Sequence, residues 1–205
     1  AEYRGANAVA KLATVRLTLC GVGALGSHLA DNLVRQGFRD VAVVDRDRVE
    51  AHNAGTQLYG ESDVGAWKVD VLKQRIFRAT GIEIDAHRKE LTERTAKALL
   101  RDGGLVIDAF DNSASRQLVQ DQCRARGLMC LHVGLNADYG EIVWDDCYRV
   151  PKDVAGDACD YPLARNLVLL VVAVASEVLV RFALEGIRSN YSVTLRDFVV
   201  QAFEG

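Results

Sequence analysis

Two rhythms of apolar residues alternate along the front of this chain. Short apolar runs bounded by glycine or an acid predict buried strands at Val15 to Cys20, Val41 to Val44, Leu105 to Phe110 and Leu131 to Val133, with a weaker one at Ile82 to Ile84. Between them the apolar positions recur at helical spacing. Leu25 to Arg35 stacks Leu25, Leu29 and Leu33 and closes at Gly37, while Val64 to Arg78 sets Val69, Leu72, Ile76 and Phe77 on one side and stops near Gly81. Thr92 is placed to cap a short helix through Leu100, and Ser113 to Arg126 predicts another that ends at Gly127.

Strands alternating with helices at this spacing imply βαβ units and a parallel sheet covered on both faces. After Gly140 the rhythm changes: Glu141 to Trp144 reads as a strand that turns back, residues 148 to 162 as an irregular connection, and Leu163 to Leu184 as a long, largely buried helix. Tyr191 to Phe203 then supplies one or two edge strands. The fold class expected is α/β: a doubly wound, Rossmann-like, mainly parallel sheet with antiparallel strands added in the C-terminal half. Residues 1–205 read as a single nucleotide-binding domain, with no internal repeat.

Composition narrows the partners. A net charge of -3 leaves no basic footprint for nucleic acid. Five cysteines, an odd number without a CxxC pair, read as thiols of a reducing compartment. The apolar stretch Leu167 to Ala175 is too short to span a bilayer, and no signal peptide is visible. The expectation is a cytoplasmic chain with no membrane partner.

The stretch GVGALG, Gly21 to Gly26, follows a predicted strand and opens a predicted helix. Gly21 permits a tight turn, Gly23 lets a phosphate approach the backbone, and Gly26 lets helix and strand pack closely. The unpaired amides at the helix start face an anion. Asp45 ends the second strand, where a carboxylate can accept ribose hydroxyls. This fingerprint names a nucleotide and leaves the reaction open, because NAD, FAD and ATP all use it.

Further features discriminate. Asp45 and Asp47 open the segment D-x-D-x-V-E-x-x-N, whose Asn53 can direct its amide at phosphate oxygens, with Gln57 one turn further. Lys68, early in the second helical pattern, can set a movable charge beside a polyphosphate. Asp111, just past a buried strand, lies where such sheets bind ligands and is a natural Mg²⁺ ligand, with capping of the following helix as its alternative role. Together they suit in-line attack on a phosphate, where positioning and charge compensation dominate.

The stretches 16–27, 43–53, 63–70 and 106–116 resemble the ThiF/MoeB/HesA family, relatives of the adenylation domain of ubiquitin-activating enzymes. The resemblance implies a Mg·ATP-dependent enzyme that adenylates the C-terminal carboxylate of a small ubiquitin-like or sulfur-carrier protein and releases pyrophosphate. It implies that Gly21, Gly23 and Gly26 surround the nucleotide, that Asp45 holds the ribose, that Asn53, Gln57 and Lys68 contact phosphates, and that Asp111 binds magnesium. The attacking carboxylate is already ionised at neutral pH, so no general base is required. Two-fold pairing in the family implies a homodimer.

Three departures qualify the picture. The family usually carries an arginine immediately before Gln57, where this chain has Thr56; Arg46, Arg48, Arg4 and Arg16 are the candidates to replace it. Paired CxxC motifs are missing, and Cys147 with Cys159 cannot build a four-sulfur site, so no structural zinc is expected. Some relatives pass the carrier onto a cysteine as a thioester or persulfide, and Cys159, before the long helix, is the candidate, although Asp157 and Asp160 beside it oppose a thiolate. His132 reads as a satisfied core histidine. Two other functions stay open: a non-catalytic partner subunit that holds ATP or a carrier, supported by Thr56, and an NAD(P)-dependent oxidoreductase, which leaves Asn53, Lys68 and Asp111 idle.

Overall fold

A computed structural model describes residues 4–152 and 161–204. One eight-stranded sheet organises them. Its strands are β1 (Arg16–Cys20), β2 (Asp40–Asp45), β3 (Asp85–Arg88), β4 (Leu105–Asp108), β5 (Met129–Asn136), β6 (Tyr139–Trp144), β7 (Asn190–Thr194) and β8 (Val199–Phe203), in the spatial order β3-β2-β1-β4-β5-β6-β7-β8. The strands from β3 to β5 run parallel, and β6, β7 and β8 are added antiparallel. This is the doubly wound α/β sheet with an antiparallel C-terminal half that the alternating pattern implies.

The helices are α1 (Ala6–Leu12), α2 (Ala24–Gln36), α3 (Lys68–Thr80), α4 (Glu93–Leu99), α5 (Ser113–Arg126) and α6 (Arg165–Glu185). One face of the sheet packs against α2, α3 and α6 through a large cluster that includes Leu17, Leu19, Leu29, Leu72, Ile107 and Val171. The other packs against α4 and α5 through Val44, Val106, Val119, Cys123 and Cys130. Because β1 and β4 are covered on both faces, Leu17 to Cys20 and all of β4 are buried, and only Thr18 and Asp108 interrupt the apolar runs.

Several boundaries move for identifiable reasons. Helix α3 begins at Lys68, four residues later than its apolar spacing predicts, because the amides of Val49 and Gly65 bond across the preceding segment and Trp67 takes the cap position. Phe77 is exposed, and Val69, Val71, Leu72 and Ile76 form the buried apolar side of α3. The weak strand falls at Asp85–Arg88, an edge strand, while Ile84 is buried just before it. Helix α1 carries no apolar period strong enough to predict it. Helix α6, at 21 residues, is long and apolar enough to cross a membrane by length and composition alone. In this fold it is a core helix: it packs on α2, and a side chain on Gly140 of β6 would meet Val171 at 2.2 Å.

Candidate functional site

The crossover direction reverses at β1, between β2 and β4, and ligands in open α/β sheets bind beyond the carboxyl ends of strands at such a point. A cleft of about 380 Å³ opens there. Its near lip is the glycine turn. Gly21 has φ +88°, and a Cβ on it would meet the Ala109 carbonyl oxygen at 2.9 Å, so only glycine fits where β1 and β4 release the chain together. A Cβ on Gly26 would lie 1.9 Å from the Gly21 oxygen. Gly26 therefore seats α2 against the turn and does not itself line the cleft. Gly23 does line it, with nothing within 4 Å of its would-be Cβ, which leaves a cradle for an incoming group.

Asp45 ends β2 and is buried against this turn. Its Oδ2 accepts the Val22 amide and its Oδ1 the Asp47 amide, both at 2.8 Å. Burial raises the carboxyl from its ordinary value, and the two amides offset that only in part. Each carboxylate oxygen keeps a second lone pair for a ligand hydroxyl. Asp47, next along, lines the cleft with its carboxylate exposed.

Lys68 is the first residue of α3 and is 8% exposed. Its amide donates to the Asp47 carbonyl at 3.0 Å and its Nζ stands 3.8 Å from Asp47 Oδ2, so its ammonium is aimed along the lip. Gln57 also lines the cleft; it is 6% exposed and its Oε1 has no hydrogen-bond partner among the described residues. Asn53 sits beneath the lip. It is buried in a 3-10 turn, its Oδ1 accepts the Glu50 amide at 2.8 Å, and its carbonyl accepts the Gln57 amide at 2.9 Å. Its Oδ1 thus orders the turn that presents Gln57, and Asn53 lies beneath the residues that line the cleft.

Across the cleft, Asp111 follows β4. The cap of α5 is Asn112, whose Oδ1 accepts the Ser115 amide at 2.9 Å. That leaves Asp111 uninvolved in the cap: it is an exposed carboxylate on the cleft whose Oδ1, among the described residues, accepts a 3.2 Å bond from the Asn112 side chain. Among the described residues no group of three or more His, Cys, Asp or Glu side chains could hold a metal ion alone. A lone carboxylate beside phosphates fits Mg²⁺, which keeps water ligands and shares its shell with substrate oxygens.

Thr56, where an arginine was expected, is fully buried with its Oγ1 unpartnered, and its carbonyl faces His28 Nε2 at 2.9 Å. Of the candidate replacements, Arg46 alone lines the cleft, paired to Glu90 at 2.6 Å. Arg48 lies over the Trp67 ring, 4.0 Å from its centre; Arg16 bonds Asp40 at the opposite end of the sheet; Arg4 bonds Glu177 of α6. Cys159 lies outside the described residues.

Sequence reasoning missed the far wall. Arg116, buried on α5, lines the cleft with its Nη1 donating to the Tyr148 hydroxyl at 2.9 Å and its Nη2 to the Val133 carbonyl at 3.1 Å. A Cβ on Gly134 would meet Arg116 Nη2 at 3.1 Å, so that glycine leaves room for the guanidinium. Glu141 on β6 completes the wall, its carboxyl raised by burial. The signal for Arg116 was its spacing: it stands four residues after Asn112 and three after Ser113, on the helix face that begins at the cleft.

The fold and the cleft together define a doubly wound α/β protein with an open site at the carboxyl ends of its parallel strands. The ThiF family model matches residues 1–185, and the chain belongs to the ThiF family. It is 33% identical over 143 residues to the sulfur carrier protein ThiS adenylyltransferase of Bacillus subtilis (strain 168), covering 66% of this chain and 42% of that protein. It is 36% identical over 113 residues to the sulfur carrier protein adenylyltransferase of Thermus thermophilus, covering 54% of this chain and 42% of that one. The chain spans less than half the length of these curated relatives. Its fold is that of E. coli MccB solved with ATP, with a TM-score of 0.78 at 15% identity over 96% of this chain and 66% of that one.

Proposed function

We propose that this protein adenylates the C-terminal glycine carboxylate of a small ubiquitin-like or sulfur-carrier protein, using Mg·ATP and releasing pyrophosphate. One observation carries the reading: Lys68, Gln57 and the exposed Asp111 carboxylate line one cleft beside the open Gly23 backbone. The named relatives that adenylate sulfur carriers support it.

In this scheme the tail carboxylate attacks the α-phosphorus of ATP, the bond to the bridging oxygen breaks, and pyrophosphate departs with the electron pair. Two anions must meet, so the chain supplies cations. Lys68 and Arg46 offset charge along the phosphates, and Arg116 gives the far wall a fixed positive end. The Gln57 amide nitrogen is a further donor, and Asp45 accepts from the ribose. Asp111 would hold Mg²⁺, which when bound neutralises phosphate charge.

Thr56 favours a second reading, a subunit that binds ATP or a carrier without turnover, because its buried side chain offers the cleft nothing. Exchange of labelled pyrophosphate into ATP, run with a panel of Gly-Gly-ended carriers, separates the two. Carrier-dependent exchange is expected. Tight ATP binding without exchange would establish the second reading, and tight NADH binding without ATP binding would establish an oxidoreductase.

A further inference from the structure

His132 faces Asp108 across the parallel β4–β5 register and is fully buried. Its Nδ1 lies 2.8 Å from Asp108 Oδ2 and its Nε2 lies 3.1 Å from Asp145 Oδ1. A neutral imidazole carries one N–H, so one of these contacts would set a lone pair against a carboxylate. The imidazolium donates to both.

The groups around the ring come from every neighbouring element. Asp108 ends β4; Arg116, Gln120 and Arg124 come from α5; Glu141 lies on β6, with Asp145 just after it; Tyr148 follows in the connection. Cys130 shares the strand and Cys20 lies beside Asp108 on β1, both thiols held protonated by burial. Burial pulls the His132 pKa down, but the bonds to Asp108 and Asp145 outweigh it, and the net shift is upward.

This cation has a mechanical reach. The Tyr148 ring stacks on the imidazole with centroids 3.7 Å apart and planes 11° apart, and its hydroxyl receives Arg116. Gln120 donates to the Asp145 carboxylate at 3.0 Å and to the Tyr148 carbonyl at 3.1 Å, and Arg124 donates to Asp145 at 2.8 Å. Pro151, three residues beyond Tyr148, lines the cleft and accepts the Ser113 hydroxyl at 2.6 Å. One buried ring therefore ties β4, the far-wall strand β5 and residues 145–151 together.

We propose that His132 is a positioning residue whose proton holds Arg116 and residues 145–151 in the form that receives the substrate's carboxylate tail, so that tail binding, and not ATP binding, depends on the charge at position 132. This rests on the adenylation reading for the identity of the tail. A raised histidine pKa fixes the sign. The clamp is complete below the ordinary histidine value and loosens as pH rises through the raised folded-state one.

The test uses the full chain and its His132→Gln variant in pyrophosphate exchange. The wild-type KM for the carrier should rise on the alkaline side. His132→Gln should raise that KM about tenfold, flatten its pH profile and leave the KM for ATP within about twofold. A variant with wild-type carrier KM and profile overturns the proposal, as does a wild-type carrier KM that stays flat from about pH 7 to about pH 9.5. A second measurement needs neither turnover nor the variant. Nitrogen-15 NMR of the ring-labelled wild type should show two protonated nitrogens on His132 at neutral pH, and a single N–H overturns the clamp. Failure of exchange with two ring protons present would remove the adenylation reading and its tail, whereas active exchange with one ring proton would remove the clamp alone.

Discussion

The Lys68 ammonium stands 3.8 Å from the Asp47 carboxylate, at the start of α3 and along the lip of the cleft. Asp47 is exposed and Lys68 is not, so the acid can swing away while the lysine stays aimed at the pocket. Replacing Lys68 with Met should cut pyrophosphate exchange by about 10²- to 10³-fold, the loss typical of a group that meets developing charge. Thermal unfolding should move little, because the variant removes a buried charge and keeps the apolar stem. Exchange assays beside a melting curve check both halves.

Two glycines of one motif should fail differently. Gly26→Ala would drive a Cβ to 1.9 Å from the Gly21 oxygen and should destabilise the fold by at least about 2 kcal/mol. Gly23→Ala meets nothing within 4 Å and should leave the melting temperature unchanged. Its methyl would instead occupy the cradle, so ATP affinity should fall. Calorimetry on both variants distinguishes a packing glycine from a ligand glycine.

Asp111 and Asn112 divide two tasks between adjacent positions. Asn112→Ala removes the α5 cap and should cost about 1 kcal/mol of stability. Asp111→Ala loses only a 3.2 Å bond to its neighbour and should leave stability intact. Exchange activity should fall by about 100-fold or more in the Asp111 variant, with a raised Mg²⁺ requirement. Denaturant titration with a magnesium series of exchange rates reads out the pair.

Acid unfolding should report on Asp145. Burial pushes its carboxyl up, but bonds from His132, Arg124 and Gln120 prevail and hold it at about 2. A depressed carboxyl contributes stability that is present above its unfolded value and lost as pH falls through the folded one, a window from about 4 to about 2. Wild type should therefore lose stability across that window, and Asp145→Asn should show a shallower slope there. Urea midpoints at stepped pH measure it.

What the sequence disclosed follows from where the signals are local. Helix α5 was legible from Ser113 to the Gly127 that closes it at φ +63°, although its cap is Asn112 and not Asp111. That Lys68 and Asp111 face one cleft was legible because helix starts and strand ends fix where residues point. Strand β3 was misplaced because the apolar Ile84 is buried just outside it, while its own residues are polar and at the sheet edge. The turn-closing role of the Asn53 Oδ1 was not legible, because its partner, the Glu50 amide, is set by the local 3-10 turn. The Asp108–His132–Asp145 cluster was invisible, since its members lie 24 and 13 residues apart and meet only through strand register.

A protein tail joined to AMP in this cleft would be seen in the intact mass of a Gly-Gly-ended carrier incubated with the enzyme, ATP and Mg²⁺. The carrier should gain the mass of one AMP, with one pyrophosphate formed, and should gain it far more slowly with Lys68→Met. An unmodified carrier with every member of the panel, despite saturating ATP, would contradict the adenylation reading.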